Sequence, residues 1–302
     1  MWTDEPQAAG RVRIATCPDS WGVWYADDPL QIPAETFLDD AAAAGYSAVE
    51  LGPLGYLPTS ADRLLSELNA RELQLSGVML AARFHEPNSL ARLAADLDCL
   101  LALAEASGAG HLILLPRGEV AEDRTLDADG WRRLVDTVHA VAHRAGERGL
   151  RTALHPHAET PIQDDAEIER FLELTDGHEV SLCLDTGHHA YAGGDPVAFV
   201  AAHRSRISYL HLKNVDERVM SRARAEGWDF ATAVANEVFC LLERGVVEMR
   251  ALSRVLDEIG YAGWAVVEQD MYPAPPDKPL PIARRNLAFL REIRLGRAQP
   301  HR

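Results

Sequence analysis

In four places a short apolar run ends on groups that bind metal ions or move protons. These are LHPH (His155, His157), LDTGHH (Asp185, His188, His189), LHLK (His211, Lys213) and VVEQD (Glu268, Gln269, Asp270). Five of the chain's 12 histidines lie in them. His155, Asp185, His211 and Glu268 together offer two imidazole nitrogens and two carboxylates. Such a mixed set suits Mn²⁺, Co²⁺, Fe²⁺, Zn²⁺ or Mg²⁺ better than an ion that prefers thiolate. Any one of these residues alone reads as a satisfied structural or capping group. Four on successive apolar runs do not, because burying that much polarity without a common partner is costly.

Further candidates stand close by. His157 reads as an acid/base group, because an ordinary histidine titrates near neutrality. Lys213 follows His211 by two residues and so shares its strand face. It reads as a holder of substrate oxygen, or as the partner of a nearby carboxylate. Glu50 ends another apolar run and reads as a hydroxyl-binding group or a structural hydrogen-bond acceptor. Asp19, Trp21 and Trp24 follow the first run, where tryptophans face a sugar ring or pack the core. Glu159, beyond LHPH, reads as a carboxylate reaching back to the site or as a loop group.

These residues need a scaffold that brings strand ends together. Runs of four to eight residues at 13–17, 48–51, 73–80, 111–115, 151–155, 180–184, 207–212 and 264–268 read as strands. Segments of helical periodicity alternate with them: 34–44, 61–70, 89–107, 128–148, 165–175, 196–203, 249–259 and 281–293. Ser60 and Asp195 stand at helix starts, and Gly45, Gly108, Gly149 and Gly260 at helix ends. Strict alternation over eight units predicts an α/β fold, a (β/α)8 TIM barrel, with residues 1–302 as a single domain. No strand leads into a GxGxxG turn, which weighs against a doubly wound sheet. Side chains at the carboxyl ends of barrel strands converge on one mouth. A long insertion after the seventh strand, residues 216–247 with a helical piece near 230–239, reads as a lid over that mouth. The proline-rich stretch 273–281 reads as a loop beside it.

Composition excludes other classes. The chain carries 30 Lys+Arg against 46 Asp+Glu, a formal net charge of −16. That charge opposes sequence-independent nucleic-acid binding and adsorption to anionic membranes. No apolar stretch reaches the ~20 residues of a spanning helix, and the N-terminal MWTDEPQAAG lacks the pattern of a secretory leader. Cys17, Cys99, Cys183 and Cys240 form no CxxC pair and read as reduced thiols of a cytoplasmic protein, in or near its core. Barrel enzymes often associate into homo-oligomers, but no feature of the sequence specifies an interface.

Longer motifs resemble those of the xylose-isomerase-like barrel superfamily of sugar isomerases and epimerases, and within it the inosose dehydratases. The matching stretches are CPDSWGVW (17–24), LHPHAET (154–160), CLDTGHHAYAGGDP (183–196), RISYLHLKNV (206–215), AEGWDF (225–230) and GYAGWAVVEQD (260–270). The resemblance implies one divalent metal, Mn²⁺ or Co²⁺ before Zn²⁺, Fe²⁺ or Mg²⁺, with Asp185, His211 and Glu268 as ligands and His155 as the fourth. It implies metal-assisted dehydration of a keto-cyclitol such as 2-keto-myo-inositol. Glu268, His157 and Lys213 would do the chemistry, and His188, Glu50, Trp21 and Asp19 would hold the substrate. Two departures stand out. The epimerase branch ends its fifth strand on a glutamate, where this chain has His155, so two-glutamate proton transfer loses one member. Leu241 and Glu243 replace an expected Pro and Gly, and Lys213-Asn214 replaces Lys-Asp. Keto-sugar isomerisation or epimerisation through the same enediolate is the neighbouring expectation. A sugar-binding barrel without catalysis is the one of a different class. A nuclease of the same superfamily would need more ligands and a basic groove.

Overall fold

The computed structural model describes residues 12–118 and 125–295; the N-terminal stretch read for a leader lies outside them. Eleven strands are described: β1 Arg13–Thr16, β2 Ala48–Val49, β3 Gln74–Leu75, β4 Val78–Ala82, β5 His111–Pro116, β6 Arg151–Leu154, β7 Val180–Asp185, β8 Ile207–Leu212, β9 Asn214–Val215, β10 Phe239–Cys240 and β11 Trp264–Val267. Nine form one parallel sheet in the order β3-β2-β1-β11-β8-β7-β6-β5-β4. The sheet's two ends, β3 and β4, are halves of the expected third strand, parted only by Ser76-Gly77. The order therefore closes on itself as a barrel of eight staves.

At that break the barrel interior leaves room only for glycine. A Cβ on Gly77 would stand 2.7 Å from Ile113 Cδ1 and 3.1 Å from the Tyr209 hydroxyl. Tyr209 crosses the barrel interior and donates to Ser76 Oγ at 2.8 Å. One large ring thus fills space that small neighbours leave open. Ala15, Ala48, Ile113, Ala153, Cys183, Tyr209 and Val266 belong to this interior cluster, with Met79 against it. A second and larger apolar cluster, which includes Leu134, Val138, Phe171, Leu210, Leu252 and Leu290, packs between sheet and helices.

Local chemistry sets the helix ends. Asp195 accepts from the backbone N–H of Val197 and Ala198, and Asp164 forms a reciprocal capping box with Glu167. Ser60 precedes its helix but makes no side-chain cap bond. Gly45 and Gly108 close their helices in the left-handed conformation that a Cβ disfavours. The insertion folds into helices Glu217–Glu226 and Phe230–Ala235, and then β10 pairs antiparallel with β9. The last helix begins at Pro279, two residues before the sequence predicted.

Candidate active site

Alternation along the strands builds the site in layers, because every second residue points inward. One step above the interior cluster, Cys17, Glu50, His155, Asp185, His211 and Glu268 follow Ala15, Ala48, Ala153, Cys183, Tyr209 and Val266. One step higher come Asp19, His157, Lys213 and Asp270. Glu50, His155, Asp185, His211, Lys213 and Glu268 are each at most 3% exposed.

Each polar group of the lower layer is aimed by a neighbour. Asp185 ends β7 and also caps the next helix: its Oδ1 accepts from the backbone N–H of Gly187 at 2.7 Å and His188 at 2.8 Å. Its Oδ2 is left for the interior. His211 Nε2 lies 3.0 Å from Glu50 Oε2, which turns Nδ1 inward to 3.2 Å from Glu268 Oε1 and 3.9 Å from Asp185 Oδ2. The Cys17 thiol donates to Glu268 Oε1 at 3.1 Å. Glu50 therefore orients His211 and does not line the cavity above.

Lys213 compensates the acids. Its Nζ lies 3.1 Å from Asp185 Oδ2, 2.9 Å from Glu268 Oε2 and 2.9 Å from Asp270 Oδ2. Two neighbours fix its stem. Thr186 Oγ1 donates to the Lys213 carbonyl at 2.6 Å and accepts from its N–H at 3.0 Å. A Cβ on Gly187 would fall 2.6 Å from Lys213 Cβ and Cγ, so only glycine leaves room. Although burial opposes a charged amine, Asp185, Asp270 and Glu268 hold Lys213 well above its ordinary value. Burial would likewise raise Glu268, yet the charges of His211 and Lys213 hold it below the usual carboxylate range. Asp270 is pushed up to about 6 by burial, against the pull of Lys213. His157 is pushed down to about 3 by burial and by Lys213, which keeps its ring neutral.

Above this layer opens a cavity of 560 Å³ whose lining includes Asp19, Trp24, Asp96, Arg117, His157, Glu159, Phe230 and Asp270. Trp24 stacks on Tyr272 at 4.9 Å and on Phe230 at 6.1 Å, joining the first loop, the last loop and the insertion in one aromatic wall. Glu159 Oε1 accepts the backbone N–H of Phe230 at 2.8 Å and so ties the LHPH loop to the insertion.

The structure thus gathers His155, Asp185, His211, Glu268, Lys213 and Glu50 in one buried layer, the His155 ring centroid 4.7 Å from that of His211, and brings Asp19 and His157 to the cavity. Trp21 is not part of the wall. It is fully buried, packs edge-on against Phe37 at 5.0 Å and donates from Nε1 to Asp40 Oδ2 at 3.0 Å. Trp24 holds the place expected of it. His188 lies beneath His157, ring centroids 3.7 Å apart, and does not line the cavity. His189 is tied to Asp165 at 2.5 Å, away from the site. Sequence reading assigned Cys17 and Phe230 no site role, and marked Asp270 only as a polar group at the end of its run. Asp270 was legible as the second inward residue after Glu268; Phe230 was not, because only the folded insertion brings it there.

Residues 38–293 match the family described as the xylose isomerase-like TIM barrel, and the chain belongs to that family. Among its relatives, it is 31% identical over 281 residues to the inosose dehydratase of Geobacillus kaustophilus, covering 87% of this chain and 88% of that protein. It is 30% identical over 275 residues to the rhizopine catabolism protein MocC of Rhizobium meliloti, covering 87% and 82%. Two solved structures share the fold. One is the IOLI protein with a binding zinc atom, TM-score 0.71 at 14% identity over 95% of this chain and all of that one. The other is an L-ribulose 3-epimerase, TM-score 0.70 at 17% identity over 93% and 94%.

Proposed function

We propose that this chain is a metal-assisted dehydratase of a keto-cyclitol, such as 2-keto-myo-inositol, or of a closely related keto-sugar, working as a single catalytic unit. One observation carries the reading. Asp185 Oδ2 and His211 Nδ1 are buried and make no hydrogen bond of good geometry; what stands near them is charge, the Lys213 ammonium 3.1 Å from the first and the Glu268 carboxylate 3.2 Å from the second. They face each other and Glu268 from three strands, below a cavity large enough for a six-membered ring. These donors fit a divalent cation: one nitrogen oriented by a carboxylate behind it, and two carboxylates, one of them already fixed by its helix cap. Asp185, His211 and Glu268 would hold the ion. Bound there, it supplies Lewis-acid polarisation of a ketone and so acidifies the neighbouring C–H.

His157 is the cavity's neutral base. Its Nδ1 faces the Ala158 carbonyl at 2.8 Å, which puts the proton on Nδ1 and the lone pair on Nε2. It takes the α-proton as the C–H pair becomes the C=C bond. The β-hydroxyl departs as water with a proton returned from the same ring. Asp19 and Asp270 accept hydrogen bonds from the remaining hydroxyls, and Trp24 and Phe230 exclude water from the ring face. Lys213, with His188 against it, holds the charge beneath His157. The relative named inosose dehydratase, at 31% identity, supports this substrate class.

The test is incubation of the protein and 2-keto-myo-inositol with Co²⁺ or Mn²⁺, following the dehydrated dione by absorbance. Asp185→Ala is expected to lose retained metal and activity together; full activity in metal-free Asp185→Ala protein overturns the reading. Epimerisation is the second reading, favoured by the fold shared with an L-ribulose 3-epimerase. An unchanged product formula instead of loss of water would select it. His155 at the end of β6 weighs against a mechanism with a glutamate there.

A further inference from the structure

We propose that the substrate of this site carries an apolar substituent, an alkyl or aryl ether, on the ring carbon opposite its ketone, and that Leu54, Met79 and Leu115 select for it. This rests on the proposed dehydratase reading, in which the ketone turns toward Asp185, His211 and Glu268. In an eight-stave barrel the third and fourth staves stand across from the seventh and eighth. The seventh and eighth, β8 and β11, carry His211 and Glu268, with Lys213 and Asp270 one step higher. A six-membered ring with its ketone at those groups directs the opposite carbon toward β4 and β5.

Those two staves differ from the rest. At the height where the other six carry Cys17, Glu50, His155, Asp185, His211 and Glu268, they present Ala81 and Leu115. The register fixes this: Ala81 pairs with Leu115, and Ile113 with Ala153, so Leu115 stands level with His155. Met79 lies one step below Ala81, and Leu54 comes from the loop after β2. All four are half-buried and line the cavity. Asp96 and Arg117 line the same side but are exposed. A hydroxyl on the carbon opposite the ketone would be set against side chains that neither donate nor accept, and so would give up water without replacement. An apolar group there instead removes its own surface and theirs from water. Space permits it, since the cavity's 560 Å³ lies within the ~300–1,000 Å³ of sites for drug-sized ligands, and a bare six-membered ring leaves part of it empty. The ether takes no part in the elimination, because the α-proton and the β-hydroxyl leave from carbons nearer the ketone.

The experiment is a calorimetric titration of Co²⁺-loaded full-length protein with myo-inositol and with its 5-O-benzyl ether, which have no ketone and so do not react. Wild type is expected to bind the ether at least about tenfold more tightly, as burial of an aromatic ring allows. Leu54→Ser and Leu115→Asn are each expected to bring the two dissociation constants to within about twofold of one another. Equal or weaker binding of the ether by wild type overturns the proposal, as does a wild-type ratio in both variants. Failure of the dehydratase reading is a different result: neither 2-keto-myo-inositol nor its 5-O-benzyl ether then loses water, whatever the ratio of the two dissociation constants.

Discussion

Lys213 shows how much one side chain sustains here. Three carboxylates converge on a single buried ammonium. Removing one partner of such a group leaves uncompensated charge in a low-dielectric interior, typically at a cost of about 3–5 kcal/mol. Lys213→Met is therefore expected to lower the unfolding free energy of metal-depleted protein by about that amount. Adding Asp270→Asn should recover part of the loss, because one stranded acid is then neutral. Urea unfolding of the single and double variants measures both, and a loss under ~1 kcal/mol in the single variant is inconsistent with this charge balance. The same residue explains why Gly187 stands in DTGH: Thr186 clamps the lysine's backbone and Gly187 clears its stem.

The insertion's short helix and the LHPH loop act as one element through Glu159, whose Oε1 takes the N–H of Phe230. Glu159 holds a positive φ of 58° to make that reach. Its place is thus that of a latch for the cavity wall, which accords with the proton chemistry proposed for His157. Glu159→Ala is expected to raise KM about tenfold, the equivalent of ~1.4 kcal/mol, while kcat changes little. Steady-state kinetics separates the two, and a fall in kcat with KM unchanged would return Glu159 to the chemistry. Stacking of Trp24 on Phe230 supplies a second readout, since loss of the latch should alter tryptophan fluorescence.

Acid stability is set in part far from the mouth. His111 begins β5, both its ring nitrogens are buried without a hydrogen-bond partner, and Tyr209 packs on it at 5.1 Å. Burial, then the charges of Arg151 and Arg13, push it down to about 4. Its folded value lies below the ordinary 6.5, so protons bind the unfolded chain more readily. The resulting stability is complete above pH 6.5 and is lost as pH falls from there to about 4, at most about 3 kcal/mol. His111→Phe should flatten the fall of the urea midpoint across that window relative to wild type. Parallel curves for the two proteins would remove His111 as the cause. Among the described residues no helix is long and apolar enough to cross a membrane.

What was legible in the sequence follows from short-range rules. Alternating periodicity gave eight staves, and parity within them placed Asp185, His211, Lys213 and Glu268 on inward faces. Caps such as Asp195 could be read because a side chain and a backbone N–H two or three residues away decide them. Other features depend on which distant side chains share a space, and no local pattern encodes that. Gly77 is needed at its place only because Ile113 and Tyr209 come from other staves to meet it. Trp21 and Trp24 stand three residues apart in one motif, yet the first faces Phe37 and the second the cavity. Glu50 became the orienting partner of His211 through a contact spanning 161 residues. Strand and helix were determined by the chain's own period and stiffness; the pairing of charges, and the side of each loop that meets solvent, were decided only when the barrel closed.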